Sequence, residues 1–376
     1  MQALRAALAS ARPAPSRAFA AAAAPPAFPA VDPSTGGAPF LERRRALPRA
    51  VSRALLLGTV CYSESTASIW KGVMRHFARR GLDVETVLFS SYERMNAALF
   101  AGHISIAWNG PLSHARALRL APPGAVLALG MRDTDRDFAS HCVVREDAGI
   151  AAPADLRDRR LALGTVDSPQ AYLAPLAHLS GLGAPLHALS VTRFDRDVGK
   201  HGDTAHGEAA VLEALRSGAC EAGYVSELMW ARFLAAEGAS SGAGAAAGLR
   251  LAPQLSPPPF DHCQFTALRA RLSAPRAAAF QRALLAMDGS GHAEDAATLA
   301  LEGVRKGWVP ARGGPVPAAP GAAPPDPGLG YEVFTHALEA WGEPRLRWPG
   351  LLHTPRRHPF KHLIVDSSLV RDSFGC

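Results

Sequence analysis

Gly164-Thr165-Val166-Asp167-Ser168-Pro169-Gln170 stands between an apolar run, 160–164, and a stretch with apolar residues at helical spacing, 169–180. Ser is a favoured N-cap, and Pro suits the first helical position because it lacks the N–H that would go unpaired there. The segment therefore reads as a strand running into a capped helix. At such a start, unpaired N–H groups and the positive end of the helix dipole point past the strand. They favour an anion by about 0.3–1 kcal/mol when exposed and up to about 2 kcal/mol when partly buried. The side chains of Thr165, Ser168 and Gln170 add donors beside Asp167. A capped helix with no ligand has the same signature, so this motif alone leaves binding open.

The same alternation continues on both sides. Downstream, 189–193 reads as a strand, 207–217 as a helix and 222–225 as a strand. Between the first two lies Gly199-Lys200-His201-Gly202-Asp203-Thr204-Ala205-His206-Gly207-Glu208, a polar connection on the same edge as Ser168. His201, Asp203, His206 and Glu208 are potential metal ligands, but their spacing matches no standard zinc pattern and no cysteine is near, so no metal is assigned. Upstream, strands are expected at 54–60, 84–89, 104–108, 125–130 and 141–145, and helices at 65–80, 92–101 and 112–120. Strands alternating with helices indicate βαβ units and parallel pairing. Tyr62 and Ser63 follow the first strand, and Trp108 and Asn109 end the third. Ligands of open α/β sheets bind beyond such strand ends, although aromatic residues there also serve as packing.

The 376 residues leave room for about two domains. The net charge of +7 is misleading as a nucleic-acid signal. Residues 1–49 hold seven arginines and two acids, and the remainder carries 33 basic and 31 acidic groups. A nucleic-acid binder would gather its charge on a folded face. Residues 1 to about 30 are rich in Ala, Arg, Ser and Pro, and the first acid is Asp32. That composition suits a mitochondrial or plastid address, with the bacterial periplasm as the alternative. No apolar run approaches the roughly 20 residues of a membrane span. Cys61, Cys142, Cys220, Cys263 and Cys376 are odd in number and include no CxxC pair, which argues against a disulfide framework. No GxSxG elbow or Walker-type loop occurs, and the GxG within 239–248 does not open a βαβ helix. His262 and Cys263 are neighbours in an expected strand, 260–268, which would turn them to opposite faces.

Several segments in order resemble the phosphate/phosphite/phosphonate-binding proteins of bacterial ABC importers: YSEST (62–66), WNGP (108–111), FASHCVV (138–144), LGTVDSPQAYLAP (163–175), GKHGDTAHGEAAVLEALRSGACEAGYV (199–225) and FDHCQFTAL (260–268). The resemblance runs from about residue 55 to 309. It implies an α/β, two-lobed type II periplasmic-binding-protein fold, with mixed, mostly parallel sheets and a ligand cleft between the lobes. The expected division is a leader and linker 1–50, read from composition, then first lobe 51–140, inserted second lobe 141–232, return to the first lobe 233–345, and a tail 346–376. It further implies that residues 167–170 and His206 hold a phosphorus oxyanion, with Thr165, His201 and Thr204 beside them and Tyr62, Ser63, Trp108 and Asn109 across the cleft. Ser226 stands where some relatives place an acid for a ligand amine. The expected function is non-catalytic capture of a small oxyanion without a cofactor, with an ABC-type permease or another protein as partner. An enzyme on the same fold, of the thiamine-precursor kind, would need an activated Cys or His in the cleft. A ligand sensor is the third reading.

Overall fold

The computed structural model describes residues 54–238, 245–312, 331 and 333–335. The leader, the tail, residues 313–330 and most of the Gly/Ala-rich stretch 239–248 lie outside the described residues. The first lobe begins with β1 (Leu55–Val60), α1 (Thr66–Arg79), β2 (Val84–Phe89), α2 (Tyr92–Ala101), β3 (Ile106–Asn109), α3 (Pro111–Leu120) and β4 (Val126–Arg132). Every residue of β1 is buried, and successive side chains alternate between two cores. Leu55 and Leu57 join Trp70, Phe77, Trp108 and Phe265 on one face, while Leu56 and Val60 join Phe89, Met95 and Leu99 on the other.

The chain then crosses through a 3-10 turn, Asp133–Asp135, into β5 (Ser140–Arg145) of the second lobe. That lobe continues with β6 (Arg160–Leu163), a π-helical turn Pro169–Leu173, α4 (Ala174–Gly181), β7 (Ser190–Arg193), α5 (His206–Arg216), β8 (Ala222–Ser226), α6 (Glu227–Ala236), β9 (Ala245–Ala246) and β10 (Leu249–Leu251). The same alternation sends Leu161, Leu163 and Tyr224 to one core and Ala162, Val143 and Val225 to the other. The return passes Phe260 into β11 (Gln264–Leu268), then α7 (Ala274–Leu285), α8 (Ala293–Glu302) and β12 (Trp308–Val309). The outgoing and returning segments run side by side: Phe138 N–H donates to Phe260 O at 2.8 Å, and Phe260 N–H to Phe138 O at 3.1 Å.

Two expectations are corrected here. The sheets are mixed but not mostly parallel. Their orders are β12-β4-β11-β3-β1-β2 and β7-β6-β8-β5-β10-β9. In each, the parallel ladders are the two around β1 or around β6, and the other three are antiparallel. The returning β11 enters against the direction of β3 and β4 and separates them, and β5 meets β8 head to tail. The second lobe also does not end at 232. α6 packs Trp230 and Leu234 into its core, and β10 pairs with β5. Among the described residues, no helix is long and apolar enough to cross a membrane.

Candidate functional site

The sequence suggested one α-helix over 169–180, but its first turn is π-helical. Pro175, at the second position of α4, has no N–H to offer Ala171 O, its α-helical partner. Ala171 O accepts from Gly164 N–H instead, at 3.0 Å, and Leu173 N–H reaches back to Ser168 O at 3.0 Å. Ser168 caps this turn, its Oγ accepting from Ala171 N–H at 3.1 Å. The neighbouring polar groups hold the turn in place. Thr165 Oγ1 donates to Arg196 O at 2.7 Å, and Asp167 Oδ2 accepts from Gly199 N–H at 2.6 Å. Gln170 Nε2 donates to Glu208 Oε1 at 2.9 Å, while Glu208 Oε2 accepts from Ser226 N–H at 2.6 Å.

The connection 197–206 folds over this helix start and onto the first lobe. Asp197, Gly199, His201, Gly202 and Ala205 all have positive φ, so it winds tightly. Gly202 sits on Ser168, and a Cβ there would come within 2.6 Å of Ser168 Oγ. His201 is fully buried and stacks on Tyr92, with ring centroids 4.4 Å apart and planes 14° from parallel. Its Nε2 lies 3.4 Å from Glu93 Oε1 and 3.2 Å from Arg116 Nη1. Burial opposes ionisation of Glu93, but His201 and Arg116 outweigh it and bring its carboxyl down to about 2. Tyr92 N–H donates to Gly199 O at 3.0 Å, and its hydroxyl to the Asp203 carboxylate.

Ser168, Gln170 and His201 thus converge where the lobes meet. Other expected residues lie elsewhere. Thr204 and His206 turn outward onto Asp197 Oδ2, at 2.9 and 2.8 Å, and His206 is exposed. Ser63 is exposed in a hydroxyl cluster with Ser65 and Thr66 at the start of α1. Trp108 belongs to the core with Trp70, Phe265 and Trp308, and Asn109 is buried in a network with Asn96 and Ser113. Ser226 is spent on capping α6, its Oγ accepting from Met229 N–H at 3.2 Å.

A chain of buried and half-buried polar groups across the junction was not foreseen. Tyr62 donates to Glu302 Oε2 at 2.5 Å, and Arg132 Nη1 to Glu302 O at 2.8 Å. Arg132, over the Trp108 ring, grips Asp135 through two bonds of 2.5 and 2.7 Å. Asp135 Oδ1 lies 3.5 Å from His262 Nδ1, and His262 Nε2 lies 3.4 Å from Gln170 Oε1. Burial raises Asp135, but Arg132 prevails and lowers it. Burial pushes Glu302 up to about 7 against the pull of Arg132, and it also raises Asp167, Asp203 and Glu208. His262 and Cys263 do not face apart as expected. Residues 261–263 precede β11, so strand alternation does not apply, and Nδ1 lies 3.1 Å from Sγ. Burial raises the Cys263 thiol, which leaves it protonated and a poor nucleophile.

Comparison with known proteins yields one family. Residues 60–313 match the model described as the ABC transporter, phosphonate, periplasmic substrate-binding protein. Among solved structures, PhnD1 from Prochlorococcus marinus (MIT 9301) in complex with methylphosphonate has a TM-score of 0.51 at 16% identity, covering 69% of this chain and 93% of that one. XAC2383 from Xanthomonas citri bound to chloride ion has a TM-score of 0.52 at 16% identity, covering 76% and 98%. Its ATP-bound form gives 0.51 at 14% identity, covering 76% and 97%. At such identities these structures speak for the fold alone. No curated protein matches the chain. The family match over most of the chain and the two lobes joined by paired crossings agree: the protein belongs to the periplasmic substrate-binding proteins of phosphonate ABC transporters, a non-catalytic family that binds a small solute for delivery to a permease.

Proposed function

We propose that this chain binds a small phosphorus oxyanion, phosphonate, phosphite or phosphate, against the Ser168 helix start and beneath the 199–204 connection. The observation that carries this reading is the convergence at two consecutive residues: Gly202 rests on Ser168 Oγ while His201 stacks on Tyr92 of the first lobe. Lobe closure and contact with the helix start are therefore one event. The methylphosphonate held by PhnD1 from Prochlorococcus marinus supports the ligand class. The acids around the junction also bear on it. Burial raises Asp167, Asp203, Glu208 and Glu302, so each holds its proton more tightly than in water. Such groups donate to oxyanion oxygens when protonated and accept a P–OH proton when ionised. A sulfonate has no proton to give, so phosphorus oxyanions are preferred.

A thermal-stability panel of methylphosphonate, phosphite, phosphate and methanesulfonate tests this. A ligand at 100 times its Kd adds about 2.7 kcal/mol of stability. A saturable shift with at least one phosphorus oxyanion, exceeding that with sulfonate, is expected; no shift at millimolar concentration across the panel contradicts the reading. We read residues 1 to about 30 as an organelle address, supported by their composition, rich in Ala, Arg, Ser and Pro with no acid before Asp32. A fusion of residues 1–50 to a fluorescent protein that stays in the cytosol would overturn it.

A further inference from the structure

We propose that the crossing segments carry a binding site for a zinc-class divalent metal, formed by Asp135, His262 and Cys263. One ligand atom from each residue lies within 4.8 Å of the others, and all three residues are buried. His262 Nδ1 is 3.1 Å from Cys263 Sγ and 3.5 Å from Asp135 Oδ1. Bonds of about 2.0–2.3 Å in a tetrahedral shell separate two such ligands by roughly 3.4–3.6 Å, close to the two separations from His262 Nδ1, and the third lies within 4.8 Å.

The surroundings preorganise the donors. His262 N–H donates to Asp135 O at 2.8 Å, so the backbone itself holds the two segments in register. Arg132 fixes the Asp135 carboxylate with two bonds, one of them to Oδ1, the oxygen nearest His262, which keeps further lone-pair capacity for a metal. Gln170 commits its amide N–H to Glu208, which leaves Oε1 facing His262 Nε2 at 3.4 Å. That oxygen calls for N–H on Nε2, leaving the bare Nδ1 lone pair directed at Cys263 and Asp135. A metal-bound histidine is commonly oriented this way, with its second nitrogen donating to an oxygen. Without metal, the thiol proton bridges Sγ and Nδ1. On binding, the S–H bond breaks, a sulfur–metal bond forms and the proton leaves to solvent. The two positive charges are then matched by one thiolate and the Asp135 carboxylate, which Arg132 also holds.

The full chain, reduced and stripped by chelator, is titrated with Co²⁺ while following thiolate-to-cobalt charge transfer in the near ultraviolet. The expected band saturates at one equivalent, disappears on addition of Zn²⁺ and persists in Cys61→Ser/Cys376→Ser. It is lost in Cys263→Ser; if that variant does not fold, His262→Gln, which keeps every cysteine, weakens binding at least tenfold. Absence of a band, or an unchanged band in the folded variants among these two, reduces the three residues to an ordinary hydrogen-bonded cluster and overturns the site.

Discussion

Gly202→Ala is expected to uncouple the lobe-bridging connection from the helix start. Gly202 has φ of +83°, and a Cβ there would approach Ser168 Oγ to 2.6 Å, Ser168 Cβ to 3.0 Å and Gln170 Nε2 to 3.1 Å. Two costs combine. A non-glycine residue in the left-handed region loses about 1–2 kcal/mol. The clash adds to this, and because Ser168 is anchored by its bond to Ala171 N–H, the connection must yield. Displacing it withdraws one hydrogen-bonded contact from a charged ligand, worth about 1.5–3 kcal/mol, or roughly 10- to 150-fold in Kd. Gly81→Ala supplies the control: φ is +71° and nothing lies within 4 Å of the added Cβ. It bears the dihedral cost without the clash. Denaturant unfolding and calorimetric titration of both variants with the best ligand of the panel separate the terms. Equal destabilisation of the two, with wild-type affinity in Gly202→Ala, would refute the reasoning.

Arg132→Met strands the buried Asp135 carboxylate and should cost about 3–5 kcal/mol, with Arg132→Met/Asp135→Asn recovering most of it; a loss under 1 kcal/mol in chemical denaturation would contradict the pairing. Glu302 titrates at about 7 folded against 4.5 in the reference state, so its protonated form favours the fold. Its stabilising contribution is complete below pH 4.5 and gone above about 7, a change of about 3 kcal/mol. Glu302→Gln should therefore gain on the wild type as pH rises through that window; parallel stability curves would exclude this. His201→Ala removes the stack on Tyr92, worth about 0.5–1.5 kcal/mol beyond burial, and should speed amide exchange at Tyr92, which donates to Gly199 O, but not in β1. Unchanged exchange at Tyr92 would show that His201 does not hold the connection down.

Legibility in the sequence followed the range of the interaction. β2 and α2 were read at their observed limits because local apolar spacing marks them. Strand direction was not readable, since β11 turns the sheet mixed by entering between β3 and β4, more than 130 residues later in the chain. α6 escaped because only Trp230 and Leu234 of its ten residues are buried, too sparse a stripe to stand out. The Ser168 cap was legible, but the π-turn depends on Pro175 and Gly164 acting together. The junction chain was hidden for a related reason. Arg132 and Glu302 meet across 170 positions, Arg132 ending the apolar β4 and Glu302 ending α8, whose first turn already holds Glu294 and Asp295, so neither charge stands out locally. His201 was foreseen as a ligand neighbour, and its packing on Tyr92 has no local signal.

Calorimetric titration of the full chain and of Ser168→Ala with methylphosphonate bears most directly on where the solute sits. One saturable site is expected in the unaltered protein, with Kd raised roughly tenfold or more in the variant and the free variant less stable by no more than a lost helix cap, about 1 kcal/mol. Equal affinity in the two proteins would place the solute away from this helix start and contradict the account.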